Sequence, residues 1–185
     1  MSREPGTYAH FTTNQGSFVV KLFDDVAPKT VANFVGLAEG TKAWKDPVTG
    51  QSVNRPFYDG LTFHRVIDGF MIQGGGFERG MKQKPVRDTI KNEAANGLQN
   101  SAYTVAMART PDPDSATSQF FINVADNDFL DYRAPTAKEF GYCVFARVVE
   151  GKEVVDQIKK VATATRGMHR DVPVEDVIIT KAEVV

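Results

Sequence analysis

The chain has 185 residues, of which 42% are hydrophobic and 24% are charged, and its formal net charge at pH 7 is −1. A chain of this length can bury a sizeable core, so we expect one folded domain at residues 7–185 behind a flexible N-terminus at residues 1–6. A nearly neutral chain has no overall positive field, and we therefore expect neither nucleic acid nor a membrane as a partner. The sequence says little about oligomeric state, and our expectation is a monomer.

The first elements expected along the chain are a β-hairpin and a helix. Residues 8–13 and 17–23 are rich in β-forming side chains and flank an Asn-Gln-Gly turn. Apolar side chains then recur at helical spacing between Pro28 and Gly40. This pattern predicts an amphipathic helix near residues 28–39.

Two polar stretches follow in the first half of the chain. Residues 41–56 form the first, with Trp44 as their only large apolar anchor. A loop of this length is commonly functional or mobile. The alternative, a surface loop held in place by Trp44, is the interpretation that we favour. Residues 80–100 are also mostly polar and are expected to cross the surface of the fold.

A second β-hairpin is predicted between these two polar stretches. Two β-rich runs, 61–67 and 70–73, flank an Asp-Gly pair, which is typical of a tight turn because glycine accepts a positive φ. If the loop has two residues, Arg65 lies opposite Ile72. If the loop has three residues, Arg65 lies opposite Gln73, and the two polar side chains share one face. Periodicity alone leaves both registers open.

Two more strands are predicted at residues 103–108 and 118–124. In the second strand the side chains alternate between two faces, and the face with Phe120 and Ile122 is expected to belong to the core. The opposite face carries three side chains of mixed polarity: Gln119, Phe121 and Asn123.

The remaining predicted elements are a strand at 142–149, a second amphipathic helix near 151–162 and a last strand at 177–185. Many short strands with two isolated helices predict a mainly β fold. The specific expectation is a closed eight-stranded antiparallel β-barrel capped by two α-helices, because closure leaves no sheet edge exposed.

Cys143 is the only cysteine, which excludes an intramolecular disulfide. It lies between Tyr142 and Val144 in a predicted strand, which favours a buried, inert thiol over a nucleophile. No apolar leader or long apolar run indicates export or membrane insertion. The sequence therefore predicts a cytoplasmic protein. The three histidines are scattered without metal-ligand spacing, so we expect no metal.

Two blocks of sequence carry a resemblance to a known family. Residues 63–75 read Phe-His-Arg-Val-Ile-Asp-Gly-Phe-Met-Ile-Gln-Gly-Gly, which resembles the signature of the cyclophilins, the peptidyl-prolyl cis-trans isomerases. Residues 107–109, Met-Ala-Arg, followed by residues 118–122, Ser-Gln-Phe-Phe-Ile, resemble the other active-site segment of that family. The likeness is greater to bacterial cytoplasmic cyclophilins than to animal ones. It favours the hairpin register that places Arg65 opposite Gln73, and it implies the cyclophilin barrel.

The resemblance also implies a set of site residues on one groove. Its catalytic members are Arg65, Gln73 and Phe70. Its substrate-binding members are Met71, Ala108, Arg109, Gln119, Phe121, Phe129, Leu130 and Tyr142. Phe129 and Tyr142 stand where the animal proteins have tryptophan and histidine. The alternative for Phe70, Met71, Phe121 and Leu130 is an ordinary place in the core.

The implied reaction is rotation about X-Pro amide bonds in unfolded or flexible protein segments, which needs no cofactor. The implied partners are proline-containing peptides and unfolded proteins. Arg65 would donate a hydrogen bond to the twisted amide, and Gln73 would hold either the substrate backbone or Arg65. Cyclosporin, which binds the groove of this family, is expected to bind weakly because the phenyl ring of Phe129 lacks the indole N–H donor. The alternative function is a chaperone module that binds proline segments and isomerises them only incidentally.

Overall fold

The computed structural model describes residues 3–86 and 88–185, and the expected flexible N-terminus falls partly outside this range. The strands, in chain order, are β1 (Thr7–Thr13), β2 (Gly16–Leu22), β3 (Trp44–Lys45), β4 (Ser52–Val53), β5 (Arg65–Ile67), β6 (Met71–Gly74), β7 (Phe77–Glu78), β8 (Lys82–Gln83), β9 (Thr104–Met107), β10 (Phe120–Asn123), β11 (Val144–Glu150), β12 (Thr163–Arg166), β13 (His169–Pro173) and β14 (Ile179–Val184). The α-helices are α1 (Pro28–Glu39) and α2 (Lys152–Ile158), and short 3₁₀ turns occupy Arg79–Met81, Ala94–Asn96 and Asp128–Leu130.

The main element is a curled antiparallel sheet of eight strands, which forms a half-barrel. Its strand order is β14-β1-β2-β11-β9-β10-β6-β5. Three two-stranded ribbons, β3–β4, β7–β8 and β12–β13, lie outside this sheet. The predicted mainly β fold with eight antiparallel strands and two helices is therefore confirmed.

The predicted closure of the barrel by a continuous ladder is wrong, because β5 and β14 are the two edges of the sheet. The two edges approach each other at an isolated bridge between Thr62 and Ile178. This bridge is made by backbone hydrogen bonds from Phe63 N to Val177 O, at 2.9 Å, and from Ile179 N to Leu61 O, at 2.7 Å. It does not continue as a ladder between β5 and β14, so the sheet stays open at this point.

The two helices lie close to their predicted positions. Helix α1 has the predicted bounds and ends at Gly40, whose φ of 81° is a left-handed conformation that glycine adopts without strain. Helix α2 stops at Ile158, several residues earlier than predicted, and the chain then turns into the β12–β13 ribbon. The sequence analysis did not predict this ribbon. None of the helices within residues 3–86 and 88–185 is long and apolar enough to cross a membrane.

The concave side of the sheet holds an aromatic core. Phe34 of α1 lies between the sheet strands, with ring centroids 6.0 Å from Phe11, 6.0 Å from Phe120 and 5.6 Å from Phe145. Such tilted and edge-on pairs add to the stabilisation from burial alone. The helix therefore fixes the curvature of β1, β10 and β11 from one side.

A second, smaller apolar cluster lies on the other face of the same strands. It consists of Met71, Ala106, Phe121, Leu130 and Val144, all of them buried. Strand alternation separates them from the main core, since Ile72 and Ile122 point the other way into it. Part of the outer face of the sheet is thus also apolar, and this part carries the site described below.

Trp44 holds the loop at residues 41–56 against the domain. Its side chain is only 4% exposed and its Nε1 donates a 2.7 Å hydrogen bond to Arg55 O. The ammonium of Lys84 lies 4.1 Å from the centroid of the Trp44 ring and donates to Phe57 O at 2.7 Å. The loop therefore has an indole anchor and a cation stacked on it.

Candidate active site

The hairpin of β5 and β6 has the three-residue loop, so Arg65 lies opposite Gln73. This is the register that the resemblance favoured. Gly69 in the loop has a φ of 80°, which a residue with a side chain rarely adopts. Strand β6 also pairs with β10, which places Phe121 opposite Gln73. Arg65, Gln73 and Phe121 consequently follow one another across three adjacent strands.

A groove of about 180 Å³ opens over the smaller apolar cluster. Its lining residues are Arg65, Phe70, Met71, Gln73, Ala108, Arg109, Phe121, Leu130 and Tyr142. All of them belong to the site predicted from the sequence, and residues far apart in the chain are brought together there. Gln119 and Phe129 of the predicted set lie beside the groove and not on its lining. The roles of all eleven remain predictions.

The floor of the groove is apolar. Met71, Phe121 and Leu130 are almost completely buried and pack in the smaller cluster, apart from the main core. These three residues are therefore buried but do not belong to the main core, because they form the floor of a concave surface that is open to solvent. A floor of this type suits an apolar ring of a ligand, which would exclude water from the atoms next to it.

Two arginines line the groove, and they differ in what their guanidinium groups bind. Arg109 donates from Nε and Nη2 to Gly141 O, at 3.1 and 3.0 Å, and lies 4.5 Å from the centroid of the Tyr142 ring. The side chain of Arg65 is exposed and, within residues 3–86 and 88–185, forms neither a hydrogen bond nor an ion pair. The guanidinium group of Arg109 is therefore fixed in the wall of the groove, whereas the N–H donors of Arg65 are free among the described residues.

Gln73 is fixed by Gln119. Its Nε2 donates a 3.0 Å hydrogen bond to Gln119 Oε1. Gln119 in turn packs on Gly76, where a Cβ would lie 2.5 Å from the Gln119 side chain. A glycine is therefore required at position 76 if Gln119 is to reach Gln73.

The rim of the groove is aromatic on two sides. Phe129 is 62% exposed and stacks on Phe70, with ring centroids 5.7 Å apart. Tyr142 meets Phe121 edge-on, also at 5.7 Å between centroids. These rings extend the apolar floor upwards, so a ligand seated on the floor would also contact the rim.

Among the residues that the structure describes, none of those lining the groove carries a carboxylate, an imidazole or a thiol. Burial raises the pKa of the Cys143 thiol to about 11, and its side chain packs in the main core. Burial also lowers the pKa of His64 to about 4, with the charges of His169 and Arg65 adding to the effect. Neither group lines the groove, so its chemistry depends on hydrogen bonds and apolar contacts and not on a nucleophile or a titrating acid.

Comparison with known proteins places this groove in a family. The family model described as "Cyclophilin type peptidyl-prolyl cis-trans isomerase/CLD" matches residues 8–184. The chain belongs to the cyclophilin family. The resemblance of the two sequence blocks is thereby confirmed, and peptidyl-prolyl cis-trans isomerisation is the activity of this cyclophilin.

Relatives of similar length support the same conclusion. Peptidyl-prolyl cis-trans isomerase B of Escherichia coli is 56% identical over 94% of this chain and 97% of its own. The isomerase cyp18 of Streptomyces antibioticus is 51% identical over 93% and 95% of the two chains. Among solved structures, a cyclophilin-type isomerase of Cryptosporidium parvum superimposes with a TM-score of 0.69 at 21% identity, covering 97% of both chains, and shows the same fold.

The sequence analysis missed one part of the site, which lies beneath the groove. Three buried asparagines, Asn100, Asn123 and Asn127, bond to each other and to backbone carbonyl groups of the groove. The available signal was the position of Asn123, which shares a strand face with Phe121. Asn100 ends the polar stretch that was expected to cross the surface, and no motif in the sequence marks Asn127.

Proposed function

We propose that the groove binds an X-Pro segment with the proline ring on Met71, Phe121 and Leu130, and that Arg65 is the catalytic residue. The proline ring is small and apolar, which matches the floor and its aromatic rim. A structure of the Cryptosporidium parvum isomerase was determined in the presence of the dipeptide Ala-Pro, which supports ligands of this class.

The mechanism follows from the nature of the barrier. An X-Pro amide isomerises over about 18–20 kcal/mol because its C–N bond has partial double-bond character. At the top of the barrier the amide is twisted and its nitrogen regains a basic lone pair. A guanidinium donor aimed at that nitrogen binds the twisted state more tightly than either planar isomer. Arg65 supplies such a donor, and its planar, permanently charged fork suits the task better than a lysine.

The observation that carries this proposal is the difference between the two arginines of the groove. The guanidinium of Arg109 is used by Gly141 O and by the ring of Tyr142. Arg65 has no such partner among the described residues, so its donors are available to a substrate. In this proposal Gln73 binds the substrate backbone, and Phe70 closes the side of the groove.

The alternative, a chaperone module with incidental activity, is less well supported. A pure binding module would not need a free guanidinium above its apolar floor. The relatives of similar length are named as isomerases. Unfolded and flexible proline-containing proteins are the proposed substrates of this activity, and folding assistance is its proposed use.

The test is the isomerisation rate of a short X-Pro peptide, measured by exchange NMR, with Arg65→Ala beside the parent. Arg147→Ala is the matched control, because Arg147 is also an exposed arginine on a strand but does not line the groove. We expect Arg65→Ala to lower kcat/KM about 10²–10³-fold, as for the loss of a transition-state donor elsewhere. A folded Arg65→Ala protein that isomerises at the parent rate would refute the assignment.

A cytoplasmic location and a monomeric state complete the proposal. The single cysteine is buried, which suits a reducing compartment but does not require it. Cell fractionation tests the location, and light scattering during size-exclusion chromatography tests the oligomeric state. Weak cyclosporin binding is part of the same proposal and is tested below.

A further inference from the structure

Three asparagine side chains are buried under the groove. Asn100 is 1% exposed, Asn123 is 0% exposed and Asn127 is 4% exposed. Buried amides are uncommon, because each one needs hydrogen-bond partners to replace water. Their partners therefore indicate what they do.

The three side-chain amides are joined into a chain by hydrogen bonds that run in one direction, from Asn127 through Asn123 to Asn100. Asn127 Nδ2 donates to Asn123 Oδ1 at 2.8 Å, and Asn123 Nδ2 donates to Asn100 Oδ1 at 3.1 Å. Asn123 Nδ2 also donates to Thr104 Oγ1 at 3.0 Å. Asn123 thus accepts on one side and donates on the other, which a carboxylate of the same shape could not do.

Both ends of the chain bond to the backbone of groove residues. Asn127 Nδ2 donates to Phe70 O at 2.9 Å. Asn100 Nδ2 donates to Leu130 O at 3.2 Å and to Tyr142 O at 3.3 Å, and it also contacts Asp131 Oδ1 at 3.1 Å. The amide chain therefore bonds to Phe70 at one end and, at the other, to Leu130 and Tyr142, which are themselves joined by a backbone hydrogen bond.

These wall residues lie outside the strands, but backbone hydrogen bonds also hold them: Val124 N donates to Phe70 O at 3.0 Å, and Tyr142 N donates to Leu130 O at 2.9 Å. Phe70 lies in the loop after β5, Leu130 ends a 3₁₀ turn, and Tyr142 precedes β11. Asn123, in contrast, is part of β10 and pairs there with Met71 of β6. The amide chain consequently connects three irregular segments to the strands that carry the floor of the groove.

We propose that Asn100, Asn123 and Asn127 are positioning residues, which set the spacing of Phe70, Leu130 and Tyr142 around the proline ring. This proposal rests on the proposed function of the groove. The asparagines do not touch the substrate. They act through the wall, because a displacement of about 1 Å between reacting groups costs up to 10²-fold in rate.

The experiment compares Asn123→Asp and Asn127→Ala with the parent and with a matched control, Asn33→Ala. Asn33 is also a buried asparagine with two hydrogen bonds, since it donates to Thr117 O at 2.7 Å and accepts from Lys42 Nζ, but it lies in α1 and bonds to none of the groove residues. Melting temperature, kcat, KM and peptide affinity are measured on all four proteins, well below the lowest melting temperature.

The positioning role predicts that the two network variants lose about tenfold or more in kcat. Peptide affinity should fall less than kcat, because Met71 and Phe121 still form the floor. The amide NMR signals of Phe70, Leu130 and Tyr142 should shift in both variants. Asn33→Ala should show a lower melting temperature, because it loses both hydrogen bonds, with kcat within about twofold of the parent.

Two results would overturn the proposal. The first is a folded network variant with parent kcat and unshifted wall signals. The second is a loss of kcat that tracks melting temperature equally in the network variants and in Asn33→Ala. If Asn123→Asp does not fold, Asn127→Ala decides alone. Arg65→Ala is measured in the same series. Its isomerisation rate tests the catalytic donor independently of the asparagine variants, so the failure of one proposal can be distinguished from the failure of the other.

Discussion

Gln73 Nε2 donates a 3.0 Å hydrogen bond to Gln119 Oε1, which orients the side-chain amide of Gln73. Both partners predicted for Gln73 from the sequence, the substrate backbone and Arg65, have N–H donors that the Gln73 oxygen can accept, so both stay open. The amide nitrogen is occupied by Gln119, so the amide oxygen is the atom that would accept from a substrate N–H. Gln73 and Gln119 should consequently behave as one unit.

The first prediction is that the effects of Gln73→Ala and Gln119→Ala on kcat/KM are not additive. The double variant should be more active than the product of the two single effects predicts, by a coupling of about 0.5–1.5 kcal/mol. The reason is that Gln119→Ala already releases the Gln73 amide from its orientation. Exchange NMR on the four proteins measures the coupling, and independent effects would show that Gln119 does not orient Gln73.

The second prediction concerns Arg65→Lys. A lysine keeps the charge but loses the rigid fork, so this variant should recover only part of the activity that Arg65→Ala loses. Affinity for the peptide should fall less than the rate in both variants, because the planar isomers depend mainly on the apolar floor. Peptide titration and exchange NMR on the same samples separate the two effects. Equal losses in affinity and rate would assign Arg65 to ground-state binding.

The third prediction is that Phe129→Trp tightens cyclosporin binding. Phe129 is exposed at the rim, so a larger indole can be accommodated without repacking the core. The indole N–H adds a donor that the phenyl ring lacks, and restoring a hydrogen bond of this kind contributes about 0.5–1.5 kcal/mol. Calorimetric titration measures the change. Phe129→Leu is the control without a donor. Equal cyclosporin affinity of the tryptophan variant and the parent would show that the missing indole N–H does not weaken binding.

The fourth prediction is that neither Cys143 nor a metal ion is needed for turnover. Burial raises the pKa of this thiol to about 11, so very little thiolate forms near neutral pH. Cys143→Ala should retain kcat/KM within about twofold at temperatures where the protein is folded. Dialysis against a chelator should leave the rate unchanged. Loss of activity in either experiment, with the fold intact, would contradict the proposed mechanism.

The fifth prediction is a loss of stability in mild acid that is due to His64. Its Nδ1 is buried and has no hydrogen-bond partner among the residues that the structure describes, and burial lowers its pKa to about 4, from about 6.5 in the unfolded chain. Between these values the unfolded state binds more protons than the folded state. The free energy of unfolding should therefore fall as pH decreases from 6.5 to 4, by up to about 3 kcal/mol.

Denaturant unfolding at several pH values tests this prediction, with His64→Gln as the reference. The variant cannot titrate at this position, so its stability should depend less on pH within that window. Identical pH dependence in the parent and the variant would show that His64 is not the group responsible.

Local features of the sequence predicted a large part of this structure. The bounds of α1 follow from Pro28, from helical spacing and from Gly40, all within one short segment. Most groove residues were predicted because they fall within the two family blocks, whereas Leu130 and Tyr142 lie outside these blocks and were implied by the resemblance to the family. In both cases the deciding information lies within a few residues of the element concerned.

Features that depend on distant partners were predicted less well. The open edge of the sheet depends on how residues 60–63 pair with residues 177–179, which lie far away in the sequence. The end of α2 depends on the β12–β13 ribbon, whose side chains show no apolar periodicity. The amide chain joins Asn100 to Asn123 across two strands, and no spacing in the sequence reveals such a contact.

Trp44 is the only tryptophan in the chain, and it anchors the loop at residues 41–56 rather than the groove. The ammonium of Lys84 lies over the indole ring in the folded protein. Unfolding would remove this contact, so the fluorescence emission of Trp44 should change when the protein unfolds. The chain therefore carries its own optical reporter of folding, which is not part of the groove lining. Fluorescence of this single indole can verify that each variant with an unchanged tryptophan content is folded, even while peptide is bound, with no dye attached to the protein.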